Sequence, residues 1–468
     1  MTSSLTTGPK FPQEVIDQII DATVSSLEVD RIEYPSWNVQ DPSIDSLCLV
    51  AKTFAPRTQS HIFKRIRIAT YNYASAQRAT RFANLIAASP QLAQHVQHLW
   101  FQNGFCIRQV ETDNMIFALK KMQNLATVVL DCIGATTSIW GDPLNTRLFP
   151  RLALALAGIC QLPWLNELCI GEITVPLSAL RAVKGPTVLK IKNCYLEVGP
   201  DEETSSPSPS PNELPLQKVR KLYLSGLDTY ESISKLDSFP YDVSSVLGFL
   251  MDIGPSSSSH NAERIILGQM RKLKVLCLHS AVPITIEDAS FIKSPLKHLN
   301  PGSFSTLTHF TWCHSFDISV HSPLPIIVDP YGGLFVENTL WKLSSLEELA
   351  IQVSFYIGDD SDVTPVILPD VSETYGWGQL EAVASSRRCF PRLHSVVLTI
   401  GVEFGHRAGP KARNLSGHVT RDLFQNHFRE LKNLHEQGEL EVLFRTQERD
   451  VVYGEEEPEE DPLWRING

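Results

Sequence analysis

The sequence predicts an α/β repeat architecture: a small N-terminal helical module followed by an irregular solenoid of strand–turn–helix units. Three observations predict it. Apolar residues recur at helical spacing within residues 11–54. Beyond Ile66, a string of the form apolar-x-x-apolar-x-apolar returns along most of the chain. Between the strings lie stretches of helical pattern, among them 79–88, 150–160, 242–251 and 378–387.

Within residues 11–66, Pro12 suits a first helical turn, where its missing N–H is not needed, and Glu14 suits the positive end of the helix dipole. Val15, Ile16, Ile19 and Ile20 then form one broad apolar stripe. Leu47, Val50 and Phe54 form a second, at i, i+3 and i+7. A stretch this short cannot close a full core alone, so it must lean on the rest of the chain, on a partner, or on both.

The repeating string follows as Val96/Leu99/Phe101, Leu125/Val128/Leu130 and Leu165/Leu168/Ile170, with a weaker copy around Leu189 and Ile191. It returns as Val219/Leu222/Leu224, Leu273/Leu276/Leu278, Leu307/Phe310/Trp312, Leu346/Leu349/Ile351 and Leu393/Val396/Leu398. A terminal copy from Leu440 to Leu443 breaks at Arg445. The fourth and sixth positions alternate inward along a short strand, and the first anchors the turn that leads into it. Stacked units of this kind bury a continuous core that no single unit could form. A compact α/β domain with a parallel sheet fits the same alternation.

These residues resemble two families. Phe11-Pro12-x-Glu14-Val15-Ile16-x-x-Ile19, then Leu47-x-x-Val50-x-Lys52-x-Phe54, then a third helix closing on Phe63 and Ile66, resembles the fungal F-box-like domain. The strings downstream resemble a degenerate leucine-rich-repeat region, with steps from about 20 to over 50 residues and Cys194 as the single candidate for the family's ninth position. Phe11 stands where the first family usually has Leu, Phe54 where it has Trp, and the insert between the first two helices is long. The resemblance implies docking on a Skp1-type adaptor of a cullin complex, with Phe11, Pro12, Val15, Ile16, Ile19, Leu47, Val50 and Phe54 as partner-binding residues. It also implies that Ile62, Phe63 and Ile66 join this module to the repeats.

The boundaries that follow are a polar N-terminus (1–10), the helical module (11–68), the repeat-like domain (69–453) and an acidic tail (454–468). A Ser/Pro-rich excursion lies at 199–215. A net charge of −11 argues against a general nucleic-acid binder. Nine cysteines at irregular spacing, none in a C-x-x-C pair, read as reduced thiols of a cytoplasmic or nuclear protein. No apolar run is long enough to cross a bilayer.

The sequence carries no zinc-protease, nucleophile-elbow or phosphate-loop motif, so no enzyme, cofactor or metal is expected. Gly376 to Gly378 reads as a turn. His95 and His98 read as surface histidines, Cys313–His314 as a buried thiol beside a turn histidine, and Asp359 to Asp362 as a polar loop. Aromatic residues on or after the strands (Trp100, Phe101, Trp312, Phe316, Phe355 and Tyr356) are candidate binding hot spots, with Trp100 expected to point away from the core. The expected function is that of a substrate-recognition adaptor, holding a protein target of unknown identity for ubiquitin transfer by other subunits. The alternatives are a protein-binding scaffold whose N-terminal helices are only a cap, and an enzyme with an unrecognised site. Exposure separates the first two: a docking module leaves its apolar patch open, and a cap buries it.

Overall fold

A computed structural model describes residues 12–29, 55–103, 112–132, 150–177, 186–197, 219–236, 243–253, 257–280, 295–317, 340–357, 375–404 and 429–450, with 110, 180, 183, 239, 284 and 285. Phe11, Leu47, Val50 and Phe54, the polar N-terminus, the Ser/Pro-rich excursion, the loop at Asp359 and the acidic tail lie outside the described residues. The chain divides into two compact units, the first built mainly from residues 1–186 and the second from 187–196 and 208–468.

The first unit opens with helices α1 (Gln13–Val29) and α2 (Ala55–Ile62). Strands and helices then alternate: β1 (Arg65–Ala69), α3 (Tyr73–Ala88), β2 (His98–Asn103), α4 (Asp113–Lys121), β3 (Thr127–Cys132), α5 (Pro150–Cys160) and β4 (Glu167–Gly171). β1 to β4 pair in chain order, all parallel. Their register aligns two apolar rows: Ile66, Leu99, Val128 and Leu168 in one, Ile68, Phe101, Leu130 and Ile170 in the other. All but the half-buried Ile66 are buried, and each contributes roughly 1.5–3 kcal/mol of apolar burial. Helix starts are set locally. Asn72 Oδ1 accepts from Ser75 N at 2.8 Å while Ser75 Oγ accepts from Asn72 N at 3.1 Å, a reciprocal cap on α3. Thr112 Oγ1 accepts from Met115 N at 3.1 Å and caps α4.

The second unit holds β5 (Val188–Lys192), β6 (Lys221–Ser225), α6 (Leu227–Ser234), β7 (Gly248–Ile253), α7 (Ser257–Leu267) and β8 (Val275–Ser280). It continues through α8 (Pro301–Phe304), β9 (His309–Asp317), β10 (Glu348–Ile357), α9 (Tyr375–Ala384), β11 (Ser395–Phe404), α10 (Arg429–Glu436) and β12 (Glu441–Asp450). These eight strands also pair in chain order and in parallel. One buried row runs Leu189, Leu222, Phe249, Leu276, Phe310, Leu349, Val396 and Val442.

One device recurs where the strands begin. Two successive N–H groups at the start of a strand donate to one carbonyl at the start of the strand before. Ala126 and Thr127 donate to Gln97 O at 2.8 and 3.1 Å, and Lys274 and Val275 donate to Leu247 O at 2.8 and 2.9 Å. The residue just before each of these pairs is buried, as Leu125 and Leu273 show. The first apolar position of the string is therefore the anchor of the strand's entry turn.

The expected leucine-rich-repeat-like solenoid is not what the chain forms. It is an α/β fold of parallel sheet, with twelve parallel strands of five to ten residues among the described residues and helices of unequal length in the crossovers. The string asks only for a turn anchor and two inward positions. Every strand of a helix-covered parallel sheet meets that demand, so the pattern specified strands and not a repeat.

Four local expectations are corrected with it. The helix expected over 242–251 is absent from the described residues 243–251: Phe249 and Met251 alternate inward along β7. The third helix of the N-terminal module stops at Ile62, and Ile66 belongs to β1. The last string does not break at Arg445, because β12 runs to Asp450. Gly376 to Gly378 lies within α9, which is seated by the buried Leu380, Val383 and Ala384. Among the described residues, no helix is long and apolar enough to cross a membrane.

Candidate functional site

α1 begins with Val15 N and Ile16 N donating to Pro12 O at 3.0 and 3.3 Å, so Pro12 turns the chain into the helix without needing a donor of its own. At 3.6 residues per turn the apolar stripe divides in two. Ile20 is 0% exposed and Ile16 is half-buried. Val15 and Ile19, one turn apart, are 37% and 53% exposed, and Pro12 and Ala22 extend that open line at either end. One apolar ridge holds α1 in place, and a second one faces outward.

A polar clasp fixes which ridge is which. Asp21 accepts from Arg57 Nε at 2.8 Å and from Arg57 Nη2 at 2.7 Å, a two-pronged pair between α1 and α2. His61 Nε2 lies 2.9 Å from Asp21 Oδ1. The Arg57 hydrogen bond, then that of His61, holds the Asp21 carboxyl down at about 2, and the same contact raises Arg57. Both charged side chains remain partly open to water, so the clasp orients α1 more than it stabilises it.

The expected partner-binding residues are thus partly placed. Pro12, Val15 and Ile19 share the open face of α1, Ile16 sits at its margin, and Phe11, Leu47, Val50 and Phe54 fall outside the described residues. Ile62 and Phe63 are half-buried at the end of α2, and Ile66 pairs with Leu99 across β1 and β2. Asp21, Arg57 and His61 escaped sequence reasoning. Acid and base stand thirty-six residues apart, and no periodicity links them.

The other candidates resolve differently. His95 ends a short turn and His98 opens β2. Among the described residues, no group of three or more His, Cys, Asp or Glu could hold a metal ion. Cys313 and His314 point to opposite faces of β9. Cys313 is half-buried near Gln352, while His314 is buried and stacks on Trp312 at 6.1 Å between centroids. Burial, aided by His279, pushes His314 down to about 4.

Trp100 points away from the core, as expected, with the Arg67 guanidinium 4.2 Å from its ring centroid. Phe101 and Trp312 are core residues and not binding hot spots, because they occupy inward positions of β2 and β9. The side chains of Phe316, Phe355 and Tyr356 lie outside the described residues. A further polar cluster crosses β6 to β8: Asp252 accepts from Tyr223 Oη at 3.4 Å and lies 3.5 Å from His279 Nδ1. Among the described residues, Cys160, Cys169, Cys194, Cys277, Cys313 and Cys389 stand outside any disulfide, and the first four of them are buried. Compared with the models of known protein families and with curated proteins, the chain matches none.

Proposed function

We propose that the chain is a non-enzymatic substrate-recognition adaptor of an SCF-type cullin ubiquitin ligase, working in the cytoplasm or nucleus. α1 docks a Skp1-type partner, and the parallel-sheet units hold a protein target. The observation that carries this reading is the open apolar line of Pro12, Val15 and Ile19 on a helix whose other ridge is buried. A helix serving only as a cap would bury Val15 and Ile19 as well. The partner's identity comes from the resemblance of residues 11–66 to the F-box-like domain, and Phe11, Leu47, Val50 and Phe54 complete the docking set on the same ground. The mechanism is proximity: a target held on one part of the chain meets a charged ubiquitin carrier held by the other at high effective concentration.

Co-purification of the full chain with Skp1, beside a Val15→Asp/Ile19→Asp variant, tests it. A stoichiometric complex that the variant loses, while keeping the wild-type circular dichroism and melting curve, supports docking through α1. Absence of a complex with the wild-type chain overturns the ligase role.

A further inference from the structure

The helices that cover the first unit's sheet carry a second open apolar line. Leu85 on α3, Phe117 on α4 and Leu154 on α5 are all exposed, Leu154 at 72%. Side-chain bridges tie the three helices together close to these residues. Arg151 Nη2 lies 2.6 Å from Asp113 Oδ1, and Leu154 and Phe117 follow one turn further along α5 and α4. Asn114 Nδ2 donates to Asn84 Oδ1 at 2.8 Å, which brings Leu85, next along α3, to the same line. The row therefore crosses three helices, and packed helices stand about 8–10 Å apart.

The charge around this row is one-sided. The charged residues of α3, α4 and α5 are Arg78, Arg81, Asp113, Lys120, Lys121 and Arg151, all exposed. Five are basic, and the one acid, Asp113, is paired with Arg151. In a chain of net charge −11, this is a local reversal of sign. Lys121 Nζ stands 5.4 Å from the Phe117 ring centroid, so cation and aromatic surface are presented together.

We infer that the outer face of α3, α4 and α5 docks an acidic amphipathic helix of a protein partner. Seven residues of helix rise about 10.5 Å, so apolar side chains at i, i+7 and i+14 of the partner suit one apolar residue on each of three successive helices about 8–10 Å apart. Glutamates flanking that line meet Arg81, Lys120 and Lys121. An anionic bilayer shares the sign and the apolar character, but it fits less well. Insertion deep enough to bury Leu154 and Phe117 would strip water from the Asp113–Arg151 and Asn84–Asn114 bridges, whereas a docked helix leaves them at a wet rim. The site is independent of α1 and of the ligase reading.

The test is fluorescence anisotropy on the full chain, with a labelled helical peptide bearing Leu at i, i+7 and i+14 and Glu at most other positions. The comparison peptide carries Lys in place of Glu. Saturable binding of the acidic peptide alone is expected, weakened by salt and weakened about tenfold or more by Phe117→Asp/Leu154→Asp. Lys120→Glu/Lys121→Glu, which leaves the apolar row intact, should weaken it similarly, and circular dichroism confirms that both variants fold. No binding of the acidic peptide, equal binding of both peptides, or wild-type affinity in both variants overturns the inference. Co-sedimentation with phosphatidylserine vesicles that Phe117→Asp/Leu154→Asp abolishes, without peptide binding, overturns it in favour of a lipid surface.

Discussion

Glu263 sits on α7 with a buried carboxyl whose Oε1 has no hydrogen-bond partner among the described residues. Burial pushes its pKa up to about 8, against a smaller opposing pull from Lys297. The folded pKa therefore lies above the unfolded value of about 4.3, so the unfolded chain releases this proton first. Glu263 is harmless to stability below about pH 4 and costs progressively more as pH rises toward 8. Glu263→Gln keeps the shape and removes the charge, so chemical denaturation should show it more stable than wild type by roughly 1–3 kcal/mol at pH 7 to 8, and equal at pH 4. Equal stability at both pH values would refute the buried acid.

His314 acts on the other side. Its folded pKa of about 4 lies below the unfolded value, so its neutral form is secure near neutrality and stability is lost as pH falls from about 6.5 toward 4. His314→Phe, which keeps a ring against Trp312, should flatten the stability curve between those limits. A curve as steep as wild type's there would sink that assignment.

Elements depend on a few residues that no apolar pattern reveals. Gly226, between β6 and α6, has φ of +90°, and a Cβ there would stand 2.5 Å from Asn193 Cα. Gly226→Ala should therefore cost on the order of 2 kcal/mol or more, read as a lowered denaturation midpoint with an unchanged slope. Asn72→Ala, which removes one cap, should cost only about 1 kcal/mol in the same assay.

These cases mark what was legible in the sequence. Strands such as β2 and β10 could be read because a buried turn anchor and two inward residues recur at fixed offsets. β7 could not, because Val243, Val246, Phe249 and Met251 sit three and two apart and also suit a helix. Only the parallel register beside Leu222 and Leu276 decides for a strand. The repeat reading failed for a related reason: the string describes one strand's needs and is silent on how the units between strands are built. On α1, the stripe of Val15, Ile16, Ile19 and Ile20 was visible, but which half faces outward was not. That is settled by the Asp21–Arg57 clasp, a contact between residues far apart in the chain.

At the scale of the whole molecule, the two open apolar lines differ in what surrounds them. The line on α1 lies beside Glu14 and Asp17, while the line on α3 to α5 lies among lysines and arginines. If both lines dock partners as proposed, the two partners are of opposite character and do not compete for one surface. The prediction is a double dissociation. Val15→Asp/Ile19→Asp should lose Skp1 and keep wild-type affinity for the acidic helical peptide. Phe117→Asp/Leu154→Asp should lose the peptide and still co-purify with Skp1. Salt distinguishes them further: raising ionic strength should weaken the peptide, whose binding draws on several lysine and arginine contacts, far more than a complex seated on Val15 and Ile19. If either variant lost both partners while remaining folded, the two faces would not be independent, and a single shared surface would have to replace them.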